Sequence, residues 1–282
     1  MSQDLAGKNV VVTGATSGIG RVTALELAKR GAHVIMANRS SNKSAPVAAE
    51  IRAATGSAPE VVSIDLGDLA SVRAAATEIL AKDLPIHILV NNAGLAGQRG
   101  MTRSGFELAF GTNHVGHFLF THLLLDRIKT ASPARIVTVA SKLHENIKHL
   151  DWDAVTRPTR TLTGVHEYGV SKLANILFSA ELARRLEGTG VTTYALHPGG
   201  VATDVYRQLP QPLRWFYLRR MLTPEQGAHT SIKCATDPAL ATTTGRYYDP
   251  RGNEQRPSHL ACDPALAREL WRRSSRWAGV VG

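Results

Sequence analysis

Cysteine is scarce in this sequence, and long apolar runs are missing from it. The 282 residues include two cysteines, Cys234 and Cys262, which have neither the number nor the spacing of a disulfide framework or a zinc site. No stretch approaches the roughly 18 consecutive apolar residues of a membrane-spanning helix, and the first residues do not show the pattern of a secretory signal. We therefore expect a cytoplasmic protein without a transmembrane segment.

Acidic residues are fewer than basic ones. The chain has 23 Asp and Glu residues against 33 Lys and Arg residues, for a formal net charge of +10. A basic surface suits an anionic partner, but the arginines are spread along the chain and no nucleic-acid-binding motif accompanies them. We expect no nucleic-acid partner. Residues 205–224 alone concentrate basic charge without an intervening acid, in Arg207, Arg214, Arg219 and Arg220.

Short runs rich in β-branched residues alternate with helical segments rich in Ala and Leu from residue 8 to about 200. The runs are KNVVVT, AHVIMA, EVVSID, IHILVN, RIVTVA and VTTYALH. Because such strands are apolar on both faces, they predict a parallel sheet covered by helices on both sides, which is the α/β, doubly wound Rossmann fold. No linker interrupts the pattern, so we predict one domain over residues 1–282.

The C-terminal part, residues 223–282, is predicted to be a largely helical extension of this domain. A helix should open at Thr223-Pro224-Glu225, a short strand should lie around residues 245–248, and a terminal helix should run from Pro264 to Trp277.

A glycine-rich turn follows the first strand. Gly14, Ala15, Thr16, Ser17, Gly18, Ile19 and Gly20 separate the strand from a helical run. Glycines at such a turn let main-chain N–H groups approach a pyrophosphate, and the following helix directs the positive end of its dipole at it. Three residues rather than one separate the first two glycines, which departs from the usual G-x-G-x-x-G spacing. We predict a dinucleotide site.

Asn38 and Arg39 stand at the end of the second strand, where an NAD site usually has a carboxylate for the ribose hydroxyls. A guanidinium at this point can instead bind a 2′-phosphate, so we expect NADP(H) to be preferred over NAD(H). Asp65 and Leu66 close the third strand and Asn91-Asn92-Ala93-Gly94 the fourth. Because ligands bind at the carboxyl ends of parallel strands, both segments belong to the same crevice.

Tyr168 and Lys172 are four residues apart in a predicted helix, so their side chains share one face. An ammonium beside a phenol favours the phenolate and lowers its pKa from about 10 toward neutrality. The pair is a candidate general acid/base. Three histidines, His114, His117 and His122, lie together in another helical stretch, but no carboxylate accompanies them, and we expect no metal site.

Six separated motifs, TGATSGIG, NNAG, Asn113, Ser141, YGVSK and HPGGVATD, together resemble the short-chain dehydrogenase/reductase family over nearly the whole chain. The segments GTNHVGHFLFTHLLL and TPEQGAHTSIKCA, and the 27 residues from Ser141 to Tyr168, resemble its retinol-dehydrogenase-like branch. The resemblance implies an oxidoreductase that transfers a hydride between NADP(H) and a carbonyl or alcohol. The lack of an anchor segment and the basic stretch depart from membrane-bound members.

The resemblance also implies roles for individual residues. Ser141 would polarise the substrate oxygen, Tyr168 would give or take its proton, Lys172 would bind the nicotinamide ribose, and Asn113 would hold a water of the proton relay. The other cofactor contacts that it implies are Asp65 and Leu66 for the adenine, Asn92, Ala93 and Gly94 beside the nicotinamide, and Pro198, Gly199, Val201 and Thr203 for the nicotinamide amide.

Residues 200–222 follow the sixth strand and are the predicted substrate lid. Trp215, Phe216 and Tyr217 with two leucines indicate an apolar wall, which favours a lipophilic aldehyde, ketone or alcohol. The arginines there leave open an anionic group on the substrate, peripheral contact with a membrane surface, or simple solvation on a packed helix. The resemblance implies dimers or tetramers built through the helices around Asn113 and Tyr168.

Two other functions remain open from the sequence. A dinucleotide-binding fold can serve as a sensing module without turnover, although Asn113, Ser141, Tyr168 and Lys172 are all present here. An epimerase or dehydratase would use the same Tyr and Lys with a tightly held nicotinamide. Release of reduced or oxidised cofactor during turnover distinguishes the second alternative.

Overall fold

Seven parallel strands form the centre of the protein, as seen in a computed structural model. The structure describes residues 3–200 and 222–280. The strands are β1 (Asn9–Thr13), β2 (His33–Asn38), β3 (Glu60–Ser63), β4 (Ile88–Asn91), β5 (Ala134–Val139), β6 (Val191–Leu196) and β7 (Arg246–Tyr248). Their order across the sheet is β3-β2-β1-β4-β5-β6-β7. The predicted doubly wound α/β fold is confirmed, including the short strand after residue 245.

Helices connect these strands and cover both faces of the sheet. They are α1 (Gly18–Lys29), α2 (Ser41–Thr55), α3 (Leu69–Leu80), α4 (Leu108–Phe110), α5 (Gly116–Thr130), α6 (Val165–Arg185), α7 (Pro224–Thr236) and α8 (Pro264–Ala278). A π-helical turn, Gly111–Val115, joins α4 to α5. Single 3-10 turns lie at Lys142–Asn146, Ala154–Thr156, Pro238–Leu240 and Leu260–Cys262.

Alternation along β1 shows why its three central residues are all apolar. Val10 and Val12 pack into the layer of α1 and α7, whereas Val11 packs into the opposite layer with α3 and α5. All three are fully buried. A strand covered on both faces has no polar side, so its sequence is a continuous apolar run.

Local capping sets where the later helices begin. The Thr223 side chain accepts a hydrogen bond from the N–H of Gln226, whose own side chain bonds back to Thr223, and Pro224 occupies the first turn of α7. Asp263 accepts from two N–H groups at the start of α8, again ahead of a proline. Both helices begin where the sequence predicted.

Helix α8 crosses the outer surface of α5 and α6. The Trp271 ring lies 5.0 Å from that of Phe118 in α5 and stacks on Phe178 of α6 with 5.9 Å between centroids. The Arg185 guanidinium lies 4.3 Å from the Trp271 ring centroid. Trp271 of α8 thus covers Phe118 and Phe178, and the expected assembly through α5 and α6 stays a prediction.

In residues 3–200 and 222–280, no helix is long and apolar enough to cross a membrane. Residues 201–221, which hold nearly all of the predicted lid, its aromatic residues and the four arginines, lie outside the described residues.

Candidate active site

The glycine turn between β1 and α1 is shaped by close packing. Gly14 adopts φ +68°, and a Cβ on it would lie 2.8 Å from Cα of Ala93. A Cβ on Gly20 would lie 2.3 Å from both Nδ2 of Asn92 and the carbonyl oxygen of Gly14. Neither position has room for a larger residue, and at Gly14 the positive φ favours glycine as well.

The start of α1 is suited to an anion. Ser17 precedes the helix in extended conformation, and its side chain makes no capping hydrogen bond. Gly18, Ile19 and Gly20 form the first turn, whose N–H groups have no partner within the helix. Together with Thr16, these residues form the end of a helix dipole at the carboxyl edge of the sheet.

Asn92 connects β4 to this turn. Its side-chain amide donates to the carbonyl oxygens of Thr13 at 2.8 Å and Gly14 at 3.3 Å. The main-chain N–H groups of Asn92 and Ala93 each donate to the Thr13 hydroxyl at 3.0 Å. The side chain of Asn92 is therefore committed to holding the shape of the turn.

Asn38 and Arg39 have different environments at the end of β2. Asn38 is buried, with its Oδ1 accepting from the N–H of Ala15 at 2.7 Å and its Nδ2 donating to Ser44. Arg39 is exposed. Among the described residues, no hydrogen bond or ion pair engages its guanidinium. Asn38 therefore supports the glycine turn, whereas the side chain of Arg39 beside it is exposed.

The end of β3 forms a neighbouring wall. Oδ1 of Asp65 accepts a hydrogen bond from the N–H of Gly67 at 2.9 Å. The main-chain N–H of Asp65 donates to Oγ of Ser71. Leu66 is buried, and a Cβ on Gly116 at the start of α5 would lie 2.3 Å from its carbonyl oxygen. The segment that follows β3 and the start of α5 are thus in direct contact at this edge.

Tyr168 and Lys172 share a face of α6, as their spacing predicted. The Lys172 Nζ lies 5.6 Å from the centroid of the Tyr168 ring. Lys172 is buried, and its Nζ donates to the carbonyl oxygen of Val139 at 2.8 Å, two residues before Ser141. Burial lowers the pKa of Lys172 to about 7.

Asn113 lies in the π-helical turn between α4 and α5. Its Oδ1 accepts from the N–H of Leu95, and its Nδ2 donates to the Leu95 carbonyl oxygen and to Oγ of Ser171. A Cβ on Gly94 would lie 3.2 Å from Oδ1 of Asn113 and 3.4 Å from Nζ of Lys172. The structure therefore brings Gly94, Asn113 and Lys172 together, with Tyr168 beside them.

Ser141 begins the 3-10 turn after β5. Its Oγ accepts from the N–H of Leu143 at 3.3 Å, and its carbonyl oxygen contacts Nδ1 of His144 at 2.8 Å. His144 is fully buried, and its Nε2 accepts from the N–H of Ser258 at 3.1 Å. The C-terminal segment thus supports the main chain at Ser141.

The turn after β6 is only partly described. Pro198 and Gly199 follow the strand, and Gly199 adopts φ +81° with Leu222 and Pro250 against it. Val201 and Thr203, which were predicted to contact the nicotinamide amide, lie outside the described residues.

The sequence did not predict a supporting role for three side chains of this region: Thr13, His117 and His144. His117 was visible only as a histidine four residues after Asn113 in a helical stretch, a spacing that places both on one face. Across residues 3–200 and 222–280, His, Cys, Asp and Glu side chains form no group of three that could hold a metal.

Comparison with known proteins identifies the family. A family model described as short chain dehydrogenase matches residues 8–150. Dehydrogenase/reductase SDR family member 13 of Bos taurus is 42% identical over 286 residues, covering 98% of this chain and 74% of that protein. Retinol dehydrogenase 11 of Homo sapiens is 42% identical over 280 residues, covering 98% and 87%. This chain belongs to the short-chain dehydrogenase family.

Within the short-chain dehydrogenase family, the chain is in the retinol-dehydrogenase-like branch, as the motifs predicted. A crystal structure of a candidate NAD(P)-dependent gluconate 5-dehydrogenase from Beutenbergia cavernae, with NADP bound at low occupancy, has a TM-score of 0.71 and 30% identity, covering 89% of this chain and 98% of that chain. The protein is an oxidoreductase of CH–OH and C=O groups whose fold binds a nicotinamide dinucleotide.

Proposed function

We propose that this enzyme transfers a hydride between NADP(H) and a lipophilic aldehyde, ketone or alcohol, with Tyr168 as general acid/base. The observation that carries the proposal is the grouping of Asn113, Tyr168 and Lys172 around Gly94. This group lies at the same edge of the sheet as the glycine turn, where ligands of doubly wound folds bind.

The residues of the turn fit a dinucleotide. Gly14 and Gly20 leave no room for side chains, and the N–H groups in the first turn of α1 have neither an intrahelical partner nor a side-chain cap from Ser17. When bound, the nicotinamide supplies or takes up the hydride. Residues 14–20 would hold the pyrophosphate, with Asn38 supporting them; the remaining contacts would be Asp65, Leu66, Asn92, Ala93, Gly94, Lys172, Pro198, Gly199, Val201 and Thr203.

Arg39 supports a preference for NADP(H). It is exposed, lies directly after β2 and has no hydrogen bond or ion pair among the described residues. A guanidinium there can form charge-assisted hydrogen bonds with a 2′-phosphate, whereas no carboxylate is present at this position to hold the 2′-hydroxyl of NAD.

The proton chemistry belongs to the side chains around Tyr168. In reduction, the Tyr168 hydroxyl would donate its proton to the carbonyl oxygen, and the Ser141 hydroxyl would hydrogen-bond the same oxygen. A charged Lys172 would stabilise the phenolate that remains. Asn113 would hold the water through which the proton is replaced. In oxidation the same steps run in reverse.

The substrate class is inferred from similarity and from the lid sequence. Similar proteins are named retinol dehydrogenases, which act on a lipophilic alcohol. In this chain, residues 213–218 read Leu-Arg-Trp-Phe-Tyr-Leu, a composition that suits an apolar pocket wall. Both observations favour a lipophilic substrate.

The first experiment is titration of the protein with NADPH and with NADH, followed by nicotinamide fluorescence. We expect tighter binding of NADPH, and a loss of about 10-fold or more in Arg39→Ala, since a charge-assisted pair is worth about 1.5–3 kcal/mol. The matched control is Arg52→Ala, which removes an exposed arginine from the neighbouring helix α2 and should leave NADPH binding normal. Equal affinity for both cofactors in parent and Arg39→Ala would refute the preference.

The second experiment measures turnover with decanal, benzaldehyde and all-trans-retinal as probes. Tyr168→Phe should retain NADPH binding and lose about 100-fold or more in kcat, because general acid catalysis contributes that much. Unchanged turnover in Tyr168→Phe would remove it from the mechanism.

A further inference from the structure

His117 is a buried ring between the cofactor turn and Asn113. It is 1% exposed in α5. Its Nδ1 lies 2.9 Å from the carbonyl oxygen of Asn113, and its Nε2 lies 2.9 Å from Oγ1 of Thr13. One side chain therefore bridges the end of β1 and the π-helical turn.

The partners of His117 define which nitrogen carries the proton. The carbonyl oxygen of Asn113 can only accept, so Nδ1 must be the donor. Nε2 then accepts from the Thr13 hydroxyl, whose oxygen in turn accepts the N–H groups of Asn92 and Ala93. The Thr13 hydroxyl also lies 3.4 Å from the carbonyl oxygen of Val90. Because the N–H groups of Asn92 and Ala93 use both lone pairs of the Thr13 oxygen, that oxygen cannot also accept from a protonated Nε2. The neutral Nδ1–H tautomer therefore satisfies the contacts of both ring nitrogens.

The environment keeps the ring in this neutral state. Burial lowers the pKa of His117 to about 4; the hydrogen bond to Asn113 opposes this shift, and the charge of Lys172 adds to it. At neutral pH the ring is uncharged, and the hydrogen bonds run in one direction: Thr13 donates to Nε2 of His117, and Nδ1 of His117 donates to the carbonyl oxygen of Asn113.

Asn113, whose main chain is held by His117, also contacts the segments that carry other site residues. Its side chain bonds both polar main-chain atoms of Leu95 and Oγ of Ser171, the residue next to Lys172. Single π-helical turns within helices often occur at functional sites. Rotation of the Asn113 peptide would therefore disturb the loop after Gly94 and the helix that carries Lys172.

We propose that His117 is a positioning residue of this enzyme, which fixes the main chain of Asn113 relative to the cofactor turn so that the proton relay of the proposed function is aligned. The role rests on that function. This role differs from simple core packing in one respect. The Nδ1–H donor must reach the carbonyl oxygen of Asn113, so an apolar side chain of the same volume does not replace His117.

Three variants separate the two contacts of the ring. In His117→Asn, the amide nitrogen can take the place of Nδ1 toward Asn113 but cannot reach Thr13. In His117→Gln, the amide oxygen can reach Thr13 but the donor near Asn113 is lost. His117→Leu removes both contacts at similar volume. The control is His114→Leu, a buried histidine of the π-helical turn that contacts Ser274 of α8 instead.

The kinetic test measures kcat and KM for decanal and the dissociation constant for NADPH. We expect kcat to fall about 10- to 100-fold in His117→Leu and His117→Gln, as a misplaced group does, with KM changed little. His117→Asn should recover most of kcat. His114→Leu should lose stability and keep kcat. If His117→Leu does not fold, the difference between the Asn and Gln variants decides.

A second readout does not depend on turnover. Nitrogen-15 NMR of histidine-labelled, cofactor-free protein should show His117 as the Nδ1–H tautomer; an Nε2–H tautomer would overturn the inference. Equal kcat in the parent, Gln and Leu variants would overturn the positioning role alone. A parent that reduces none of the carbonyl probes would refute the proposed function, and the role of His117 would be lost with it.

Discussion

The side chain of Asn92 and the main chain of Thr13 hold two strands together at the cofactor turn. The Asn92 amide donates to the Thr13 carbonyl oxygen at 2.8 Å, and the Asn92 N–H donates to the Thr13 hydroxyl at 3.0 Å. The end of β4 thus fixes the turn that follows β1, although 79 residues separate the two positions.

Gly20→Ala tests whether this close fit shapes the cofactor site. Its Cβ would lie 2.3 Å from Nδ2 of Asn92 and from the Gly14 carbonyl oxygen, so the turn must move. We expect NADPH affinity to fall by about 10-fold or more, or about 1.4 kcal/mol, in fluorescence titration. Gly56→Ala, at φ +78° with open space around it, should lose stability alone. Normal NADPH affinity in Gly20→Ala would contradict this account of the turn.

Lys172→Met should separate activity from stability. Burial lowers the pKa of Lys172 to about 7, which means that the folded protein bears a cost for the charged form. The Val139 carbonyl oxygen keeps a donor in Asn175 when Lys172 is removed. We therefore expect the free energy of unfolding of cofactor-free protein to rise by about 1 kcal/mol or more, while kcat falls by at least about 100-fold. A large loss of stability would show that the lysine is structural.

The stability of the protein should fall in acid because two histidines are buried in neutral form. Burial lowers the pKa of His114 to about 3 and that of His117 to about 4, whereas the imidazole of an unfolded chain has a pKa of about 6.5. As pH falls from about 6.5 toward about 4, the unfolded chain binds protons that the folded chain does not. The free energy of unfolding should decrease by about 1.4 kcal/mol per pH unit for each such proton. Denaturant unfolding of His114→Leu should show a shallower slope; the parent slope in this variant would disprove its contribution.

Trp271→Ala should destabilise the fold without touching the site. The ring fills the contact among Phe118, Phe178 and Arg185, and removing a large buried aromatic side chain costs about 3–5 kcal/mol. Arg272→Ala, on the exposed side of α8 where Arg272 pairs with Glu269, should cost much less, because solvent screens an exposed ion pair. Chemical denaturation measures both. Similar small losses in the two variants would mean that α8 contributes little to stability.

Much of the fold follows from local pattern. Continuous apolar runs predicted the parallel strands, and Thr223 and Asp263 ahead of prolines mark the helix starts seen in α7 and α8. The shared face of Tyr168 and Lys172 follows from helical spacing. These features depend on residues that are close together in the sequence, so local patterns predict them.

Other features depend on contacts between distant residues. The bridge from Thr13 through His117 spans 104 residues, and the commitment of Asn38 and Asn92 to the glycine turn depends on how three strand ends meet. The covering of Phe118 and Phe178 by α8 likewise depends on where the C-terminal helix docks. Side-chain direction at such points is decided by tertiary packing, which spacing along the chain does not encode.

The most direct test of the central claim follows the nicotinamide and the carbonyl compound together in one reaction. Purified protein is mixed with NADPH and decanal, and oxidised cofactor and decanol are quantified over time for the parent and for Tyr168→Phe. We predict equal amounts of NADP⁺ and alcohol from the parent and at least about 100-fold slower formation of both in Tyr168→Phe. Consumption of no NADPH with any carbonyl probe, or equal rates in the two proteins, would contradict the account.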